Sequence, residues 1–150
     1  MSRIELSMRV SKSVEEVFDF LNRPENHRKF IPNMVEFNQT SPGAFGRTGA
    51  KIQGSLGILG RRIGVPYEIV EHVPNHELAM KGRIGPISFR DGYILSPSGT
   101  GSQIQFWLEL TMAGLARLLN PFVVPIGWIH AHETLANLRK ELEKYQAPPG

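Results

Sequence analysis

Three side chains that could move protons lie in two apolar segments of the chain. The segment "ISFRDGYIL" carries Asp91 and Tyr93, and the segment "VPYEIVEHV" carries Tyr67. If the first segment is a strand, alternation puts Asp91 and Tyr93 on the face of Phe89 and puts Arg90 on the other face. Should the Phe89 face be concave, apolar surroundings would raise the pKa of the Asp91 carboxyl. The pattern then predicts a general acid or base, with the two tyrosine hydroxyls as donors.

A structural role for Asp91 is the alternative. Both faces of its segment are mixed, and a carboxylate near a strand bend can form an ion pair with Arg90 or Arg83. Ion pairs of this kind occupy such positions without any catalytic role. We favour the ion pair and therefore predict no catalytic residue.

The segment "HAHE" raises the question of a metal site because it holds two histidines and a glutamate. On a helix, His130 and His132 point roughly 200° apart, whereas ligands on one helix face are three or four residues apart. Only His130 and Glu133 could converge, and no other histidine has a recognisable metal-ligand spacing. We predict no metal. His130 is then either a polar group that faces a cavity or an ordinary, partly exposed histidine.

The glycine-rich passage "GAFGRTGAKIQGSLGILGRRIG" suggests a phosphate loop but lacks the pattern of one. It contains no G-x-x-x-x-G-K-[ST], and the later "GTGSQI" lacks a third glycine and leads into a strand instead of a helix N-terminus. We predict no cofactor. The glycines instead indicate strongly bent strands, and a curved sheet has room on its concave side.

The stretch "AGLARLLNPFVVPIGWI", residues 113–129, is almost free of charge and could be a membrane span, a core segment or a cavity wall. Arg117 and two prolines would leave a charge and lost backbone donors in lipid, so we predict no transmembrane segment. Asn120 could cap a long helix and Pro121 could lie in its first turn. Pro125 is predicted to bend or restart this helix, so that a break is expected near residue 125. The N-terminal half of this helix is apolar around most of its circumference. This favours the wall or mouth of a cavity over plain core or a dimer contact.

The elements that would position these side chains follow from periodicity. Residues 4–10 alternate between apolar and polar, which predicts a strand with one buried face. Ser13 and Glu16 form a capping box before a helix over about 14–22, and Pro24 opens a second short helix. Six segments separated by turn signals then predict an antiparallel meander. Apolar residues at spacings of three or four predict a closing amphipathic helix.

Length and composition limit the classes of protein that remain. The chain has 150 residues, 41% of them hydrophobic and 21% charged, which predicts one domain over residues 1–150 with a frayed tail at 146–150. Zero cysteines exclude disulfides and thiolate metal sites. The 17 Lys and Arg are scattered among 14 acidic residues, so the net charge of +3 does not indicate nucleic-acid binding. An alternating N-terminus without a continuous apolar region predicts a cytoplasmic protein.

The order of the elements and four stretches of sequence resemble one superfamily. These stretches are "SVEEVFDFLNRPENHRKFIPNMVEF", "YEIVEHVPNHEL", "YILSPSGTGSQIQFWLEL" and "LANLRKELEKY". Together they resemble the START-like (SRPBCC, Bet v 1-like) superfamily, in particular its polyketide cyclase/dehydrase branch, over nearly the full chain. The resemblance implies an α+β helix-grip fold: a curved seven-stranded antiparallel sheet wraps around a long C-terminal helix, and two short helices lie between strands 1 and 2. It also implies a hydrophobic ligand cavity between sheet and helix.

Alternation parity and the helix pattern predict which residues line this cavity. The clearest strand is the last, where Ile104, Phe106 and Leu108 share one face and Trp107 is an apolar exception on the wet face. The predicted lining residues are Ile52, Leu56, Tyr67, Ile69, Met80, Phe89, Tyr93, Phe106 and Leu108 from the sheet, and Phe122, Ile126, Ile129 and His130 from the helix.

Three functions remain open, because superfamily members include carriers, receptors and enzymes. We rank first the binding or carriage of a small hydrophobic ligand by a monomer or homodimer. The second is a cyclase, aromatase or dehydratase-type enzyme, which requires Asp91, Tyr93 and Tyr67 to converge on a closed pocket. The third is a protein or membrane-surface interaction module that uses residues 115–129 as an exposed apolar patch.

Overall fold

The computed structural model of the protein describes residues 2–146. Within this range, the chain forms seven strands, three α-helices and one 3₁₀ helix. In chain order the elements are β1 (Ser2–Val10), α1 (Val14–Leu21), α2 (Pro24–Phe30), β2 (Met34–Gln39), β3 (Lys51–Ile58), β4 (Arg61–Val73), β5 (Glu77–Ile84), β6 (Ile87–Ser98), β7 (Gly101–Met112), the 3₁₀ helix (Gly114–Leu119) and α3 (Asn120–Lys144). Of the predicted frayed tail at 146–150, all but Gln146 lies outside the described residues.

The seven strands form one antiparallel sheet in the order β1-β7-β6-β5-β4-β3-β2. Strands β2 to β7 are a meander, and β1 completes the sheet by pairing with β7. The helix α3 packs on the concave face against β1 and β7, and α1 and α2 lie between β1 and β2 in the chain. The predicted α+β helix-grip fold is therefore confirmed.

The two short helices begin where the sequence predicts. The Ser13 hydroxyl accepts a hydrogen bond of 3.2 Å from the Glu16 backbone N–H, and the Glu16 carboxylate accepts one of 3.2 Å from the Ser13 backbone N–H. This capping box satisfies two free donors at the start of α1. Pro24 lies in the first turn of α2, where its missing N–H costs no helical hydrogen bond.

The long helix differs from the sequence prediction at its start and at Pro125. The N-cap residue is Leu119, and Asn120 is already helical, so Asn120 does not cap the helix. The predicted break at Pro125 is wrong, because α3 runs without interruption from Asn120 to Lys144. Pro125 lies in the second turn, where only its own N–H bond, to the carbonyl of Pro121, is lost.

The C-terminal half of α3 is fixed to the rest of the molecule. Leu135, Leu138 and Leu142 are buried against the core. The Asn137 side-chain amide donates a hydrogen bond of 3.1 Å to the Phe30 carbonyl. At the end of the helix, the Tyr145 hydroxyl donates to the Asp19 carboxylate, and the Lys12 ammonium donates to the Tyr145 carbonyl at 2.9 Å.

Two glycines let aromatic rings cross neighbouring strands on the concave face. A Cβ at Gly54 would lie 2.7 Å from Cε2 of Tyr67, and a Cβ at Gly82 would lie 2.5 Å from Cζ of Phe89. Neither distance is sterically possible, so the absence of side chains at these positions creates the space for the two rings.

The outer face of the sheet corrects the prediction for Trp107. This residue does point away from the concave face, but it is buried and not wet. Its ring lies in the space above Gly92, and the Arg3 guanidinium covers it at 4.8 Å from the ring centroid. The cation–π contact and the glycine shield an apolar ring that alternation alone assigns to solvent.

Candidate ligand-binding cavity

A cavity of about 320 Å³ lies between the concave face of the sheet and the N-terminal half of α3. The loop of residues 31–33 and the ends of β3, β5 and β6 complete its wall. Most of the lining is apolar. Ile58 and Ile126 line the cavity and are also substantially exposed, so the cavity opens to the surface between the β3–β4 turn and α3.

Eight of the predicted residues line this cavity in the structure. They are Leu56, Tyr67, Phe89, Tyr93, Phe106, Leu108, Ile126 and His130. The six from the sheet share the concave face, because cross-strand partners such as Tyr93 and Phe106 point to the same side. Alternation is therefore a reliable guide to the face on which a side chain lies.

Three other predicted residues lie on the same face but not at the cavity. Ile52, Ile69 and Met80 are fully buried in the packed core. Alternation identifies their face correctly. It does not indicate whether another side chain fills the space above them, and here the core does.

The remaining two predicted residues lie on the outer side of α3. Phe122 is 70% exposed and Ile129 is 59% exposed, and neither lines the cavity. The lining stripe of the helix is Val123, Ile126, Gly127, His130 and Thr134. The three- and four-residue spacing of this stripe is a signal that could have identified Val123, Gly127 and Thr134 from the sequence.

The loop residues were missed for a different reason. Ile31, Pro32 and Asn33 reach the cavity from a turn, where no periodicity applies, so the sequence holds no comparable signal for them. Ile84 and Ile87 are the last residue of β5 and the first of β6, and alternation with Gly82 and Phe89 could have identified both. Leu110 could have been included, since it shares the face of Phe106 and Leu108.

Asp91 faces the cavity, and the ion pair predicted for it is wrong. Arg90 is on the opposite face of β6, and Arg83 donates a hydrogen bond of 2.9 Å to the Gly85 carbonyl. Among residues 2–146, no basic side chain lies within 4.0 Å of the Asp91 carboxylate. Oδ1 is shielded from solvent and has no hydrogen-bond partner in this part of the chain, although other atoms of Asp91 contact the cavity space. Burial raises the pKa of Asp91 to about 7.

Tyr67 and Tyr93 line the same cavity as Asp91. Burial raises the pKa of Tyr67 and of Tyr93, and the negative charge of an ionised Asp91 raises both further. Both phenols are therefore neutral hydroxyl groups across the range in which Asp91 titrates. Asp91 and Tyr93 share one face of β6, as alternation predicts, and Tyr67 of β4 lines the same cavity.

His130 is a cavity residue whose neighbour His132 lies elsewhere. Burial lowers the pKa of His130, which favours the neutral imidazole. The His132 ring packs against Trp128, with 6.3 Å between ring centroids. Across residues 2–146, no cluster of three or more His, Cys, Asp or Glu side chains is arranged to hold a metal ion.

A larger groove of about 500 Å³ lies on the outer face of the sheet. Charged side chains such as Lys51, Lys81 and Arg90 line it, and Lys81 is 3.8 Å from the Glu68 carboxylate. The groove is more open and more polar than the inner cavity, whereas a site for a small hydrophobic molecule is concave and mostly apolar. The inner cavity is therefore the better candidate despite its smaller volume.

Several apolar side chains near the N-terminus of α3 are exposed. They include Leu115, Leu118 and Phe122, and Leu59 at the β3–β4 turn is almost fully exposed. In the part of the chain that the structure describes, no helix is long and apolar enough to cross a membrane.

Comparisons with known proteins agree with this fold. The family model described as "Polyketide cyclase / dehydrase and lipid transport" matches residues 1–143. No curated protein matches the chain.

Solved structures resemble the chain over almost its whole length. A START superfamily protein from Mycobacterium smegmatis has a TM-score of 0.79 at 12% identity, covering 95% of this chain and 97% of its own. A Thermus thermophilus protein has a TM-score of 0.79 at 11% identity, covering 97% of this chain and 100% of its own. Ara h 8.0201 has a TM-score of 0.75 at 13% identity, covering 96% of this chain and 99% of its own. At these identities the likeness concerns the fold alone.

Proposed function

Since the chain belongs to the polyketide cyclase/dehydrase and lipid-transport family, we propose that it binds or carries a small hydrophobic molecule in the cavity between the sheet and α3. The observation that carries this proposal is the apolar cavity of about 320 Å³ with an opening beside Ile58 and Ile126. Lipids, polyketides and isoprenoid-like molecules have the apolar surface that such a lining stabilises.

The cavity residues named from the sequence belong to this proposal. Leu56, Phe106 and Leu108 offer apolar contacts from the sheet, and Ile126 offers one at the opening. A carrier does not catalyse a reaction, so in this proposal the few polar side chains of the cavity orient the ligand. Predictions of a monomer or homodimer, of a cytoplasmic location and of no nucleic-acid partner stay predictions.

Native mass spectrometry of the protein purified from its own host tests the proposal directly. We expect a fraction of the protein to carry an organic molecule that organic solvent releases. The extracted protein should then bind the uncharged fluorescent probe N-phenylnaphthylamine in a saturable manner. If there is no co-purified molecule and no probe binding, the cavity is not a ligand site.

A cyclase, aromatase or dehydratase-type activity is the second candidate, and one observation favours it. Asp91, Tyr67 and Tyr93 all line one cavity, and burial brings the pKa of Asp91 near neutrality, where a carboxyl group can both donate and accept a proton. Conversion of a poly-carbonyl substrate by the wild type, with loss of turnover in Asp91→Asn but retained substrate binding, would support the enzyme. Binding without turnover in the wild type would leave the carrier.

The third hypothesis is an interaction surface formed by residues 115–129. The exposed apolar side chains in this range are the reason to test it. Vesicle flotation and light scattering report on it separately from probe binding. Flotation or self-association that Phe122→Ser and Leu118→Ser abolish would support a surface role. A monomer that does not float would remove it.

A further inference from the structure

The concave-face neighbours of Asp91 contain no charge. Along β6 they are Phe89 and Tyr93, and across the neighbouring strands they are Met80 on β5 and Leu108 on β7. The nearby Arg90 belongs to the outer face. An ionised carboxylate in these surroundings would be a buried charge without a partner, which is strongly unfavourable.

A carboxyl group in its protonated form is a hydrogen-bond donor. Oδ1 of Asp91 has no hydrogen-bond partner among residues 2–146, and the side chain faces the cavity. Oδ1 itself is shielded from solvent, but other atoms of the side chain contact the cavity space. A proton on the second carboxyl oxygen is therefore available to a molecule in the cavity, and leaving this donor unmet is unfavourable for the folded protein.

We infer that Asp91 donates a hydrogen bond to an acceptor oxygen of the ligand, so that the cavity selects uncharged molecules with a carbonyl or ether group over carboxylates. This inference rests on the proposed ligand-binding function and names the chemical class of the ligand. A neutral acceptor satisfies the Asp91 hydroxyl, and the rest of the molecule contacts the apolar lining. A ligand carboxylate could share the Asp91 proton, but one negative charge would then remain buried without a cation.

Among the described residues that line the cavity, Asp91 is the titratable group whose pKa lies at about 7. The others are Tyr67 on β4, Tyr93 on β6 and His130 on α3. The pKa of each tyrosine is raised by burial, so both stay neutral. The pKa of His130 is lowered below its ordinary value by burial, so it is mostly neutral above pH 6.5, near the ordinary histidine pKa. Binding that requires the protonated carboxyl must therefore weaken as pH rises through the pKa of Asp91, about 7.

Displacement of N-phenylnaphthylamine by matched ligands tests the inference. The ligands are a methyl ketone, the carboxylate and the alkane of equal chain length, each measured between pH 6 and pH 8.5. For the wild type, we expect ketone affinity to fall by roughly 30-fold over this range, because only the protonated fraction binds. Alkane affinity should stay constant. The carboxylate should bind at least about tenfold more weakly than the ketone at pH 7.

Two variants separate the donor from the shape of the side chain. Asp91→Asn keeps a donor of similar size, so the ketone should bind within about threefold of the wild-type affinity at pH 6, and pH dependence should vanish. Asp91→Leu removes the donor, so the preference for ketone over alkane should be lost.

The outcomes distinguish this inference from the proposed function. Probe binding with a pH-independent ketone affinity, or with equal affinity for ketone and carboxylate, overturns the inference and leaves carriage intact. The absence of probe binding at every pH overturns the proposed function itself. If either variant fails to fold, the wild-type comparison of ketone and alkane across pH still decides the question.

Discussion

The His27 imidazole stacks on the Phe37 ring, with 4.7 Å between the ring centroids and 10° between the ring planes. His27 is fully buried, and its Nε2 lies 2.7 Å from the Leu21 carbonyl, to which it donates as a neutral imidazole. Burial lowers the pKa of His27 to about 4. The histidine is thus a neutral aromatic member of the core and takes no part in the ligand cavity.

Protonation of His27 should destabilise the fold in acid. The unfolded chain binds this proton near pH 6.5, whereas the folded chain binds it only near pH 4. The stability contribution is therefore present above pH 6.5 and is lost as pH falls to about 4, with a total of roughly 3 kcal/mol. Urea unfolding of the wild type and of His27→Gln, which retains an N–H donor, should show that this acid loss disappears in the variant.

Asp91 should give the opposite pH dependence. Its pKa is raised by burial to about 7 from an ordinary value of 3.8, so the folded chain holds a proton that the unfolded chain releases. Its contribution to stability is present below pH 3.8 and is lost as pH rises through about 7, by up to roughly 4 kcal/mol. Because Asp91 also contacts the cavity space, its contribution to the free energy of unfolding is smaller than this upper value. Asp91→Asn should therefore show a steeper acid loss than the wild type in the same urea experiment, and identical pH profiles would contradict the prediction.

Ile126 and Ile129 provide a matched pair for the cavity opening. Both are isoleucines of α3 with similar exposure, 64% and 59%, but only Ile126 lines the cavity. Ile126→Ala should weaken N-phenylnaphthylamine binding by roughly fivefold, because apolar contact with the probe is lost. Ile129→Ala should leave affinity unchanged, and both should keep the free energy of unfolding within about 0.5 kcal/mol. Equal effects on probe affinity would mean that the probe does not bind at this opening.

Phe106 should affect both stability and binding. Its side chain is fully buried and packs against Tyr93 with 5.2 Å between ring centroids, while it also lines the cavity. Phe106→Ala should lower the free energy of unfolding by roughly 3 to 5 kcal/mol, as expected for a ring removed from a core. It should also enlarge the cavity and shift its preference toward bulkier ligands. Gln105→Ala, on the other face of β7, is the control, and a loss below about 1 kcal/mol for Phe106→Ala would mean that its surroundings are not packed.

The sequence predicts the fold well because strand alternation and helix capping are local signals. The Ser13–Glu16 capping box and the alternation through Phe106 and Leu108 were sufficient to locate α1 and the concave face. The same signals do not indicate how deeply a side chain is buried. They could not indicate that the core fills the space beside Ile69, or that Trp107 is covered on the outer face.

The candidate site was predicted only in part, because it depends on long-range arrangement. Within residues 2–146, the absence of a cation near Asp91 follows from the register of β5, β6 and β7, which no local pattern encodes. The orientation of α3 decides that Ile126 lies at the cavity and Phe122 outside it. Pro125 was expected to break the helix, but near a helix start a proline removes only one hydrogen bond.

The uneven attachment of α3 divides the molecule into a region that opens at small energetic cost and a region that does not. The end near Tyr145 is held by buried leucines and by hydrogen bonds from Asn137 and Lys12. Toward Asn120, the helix makes few buried contacts other than Gly127. Amide hydrogens in the first turns of α3 should therefore exchange through local opening, while those near Leu138 exchange only with global unfolding. A ligand could then enter and leave many times during the lifetime of one folded molecule.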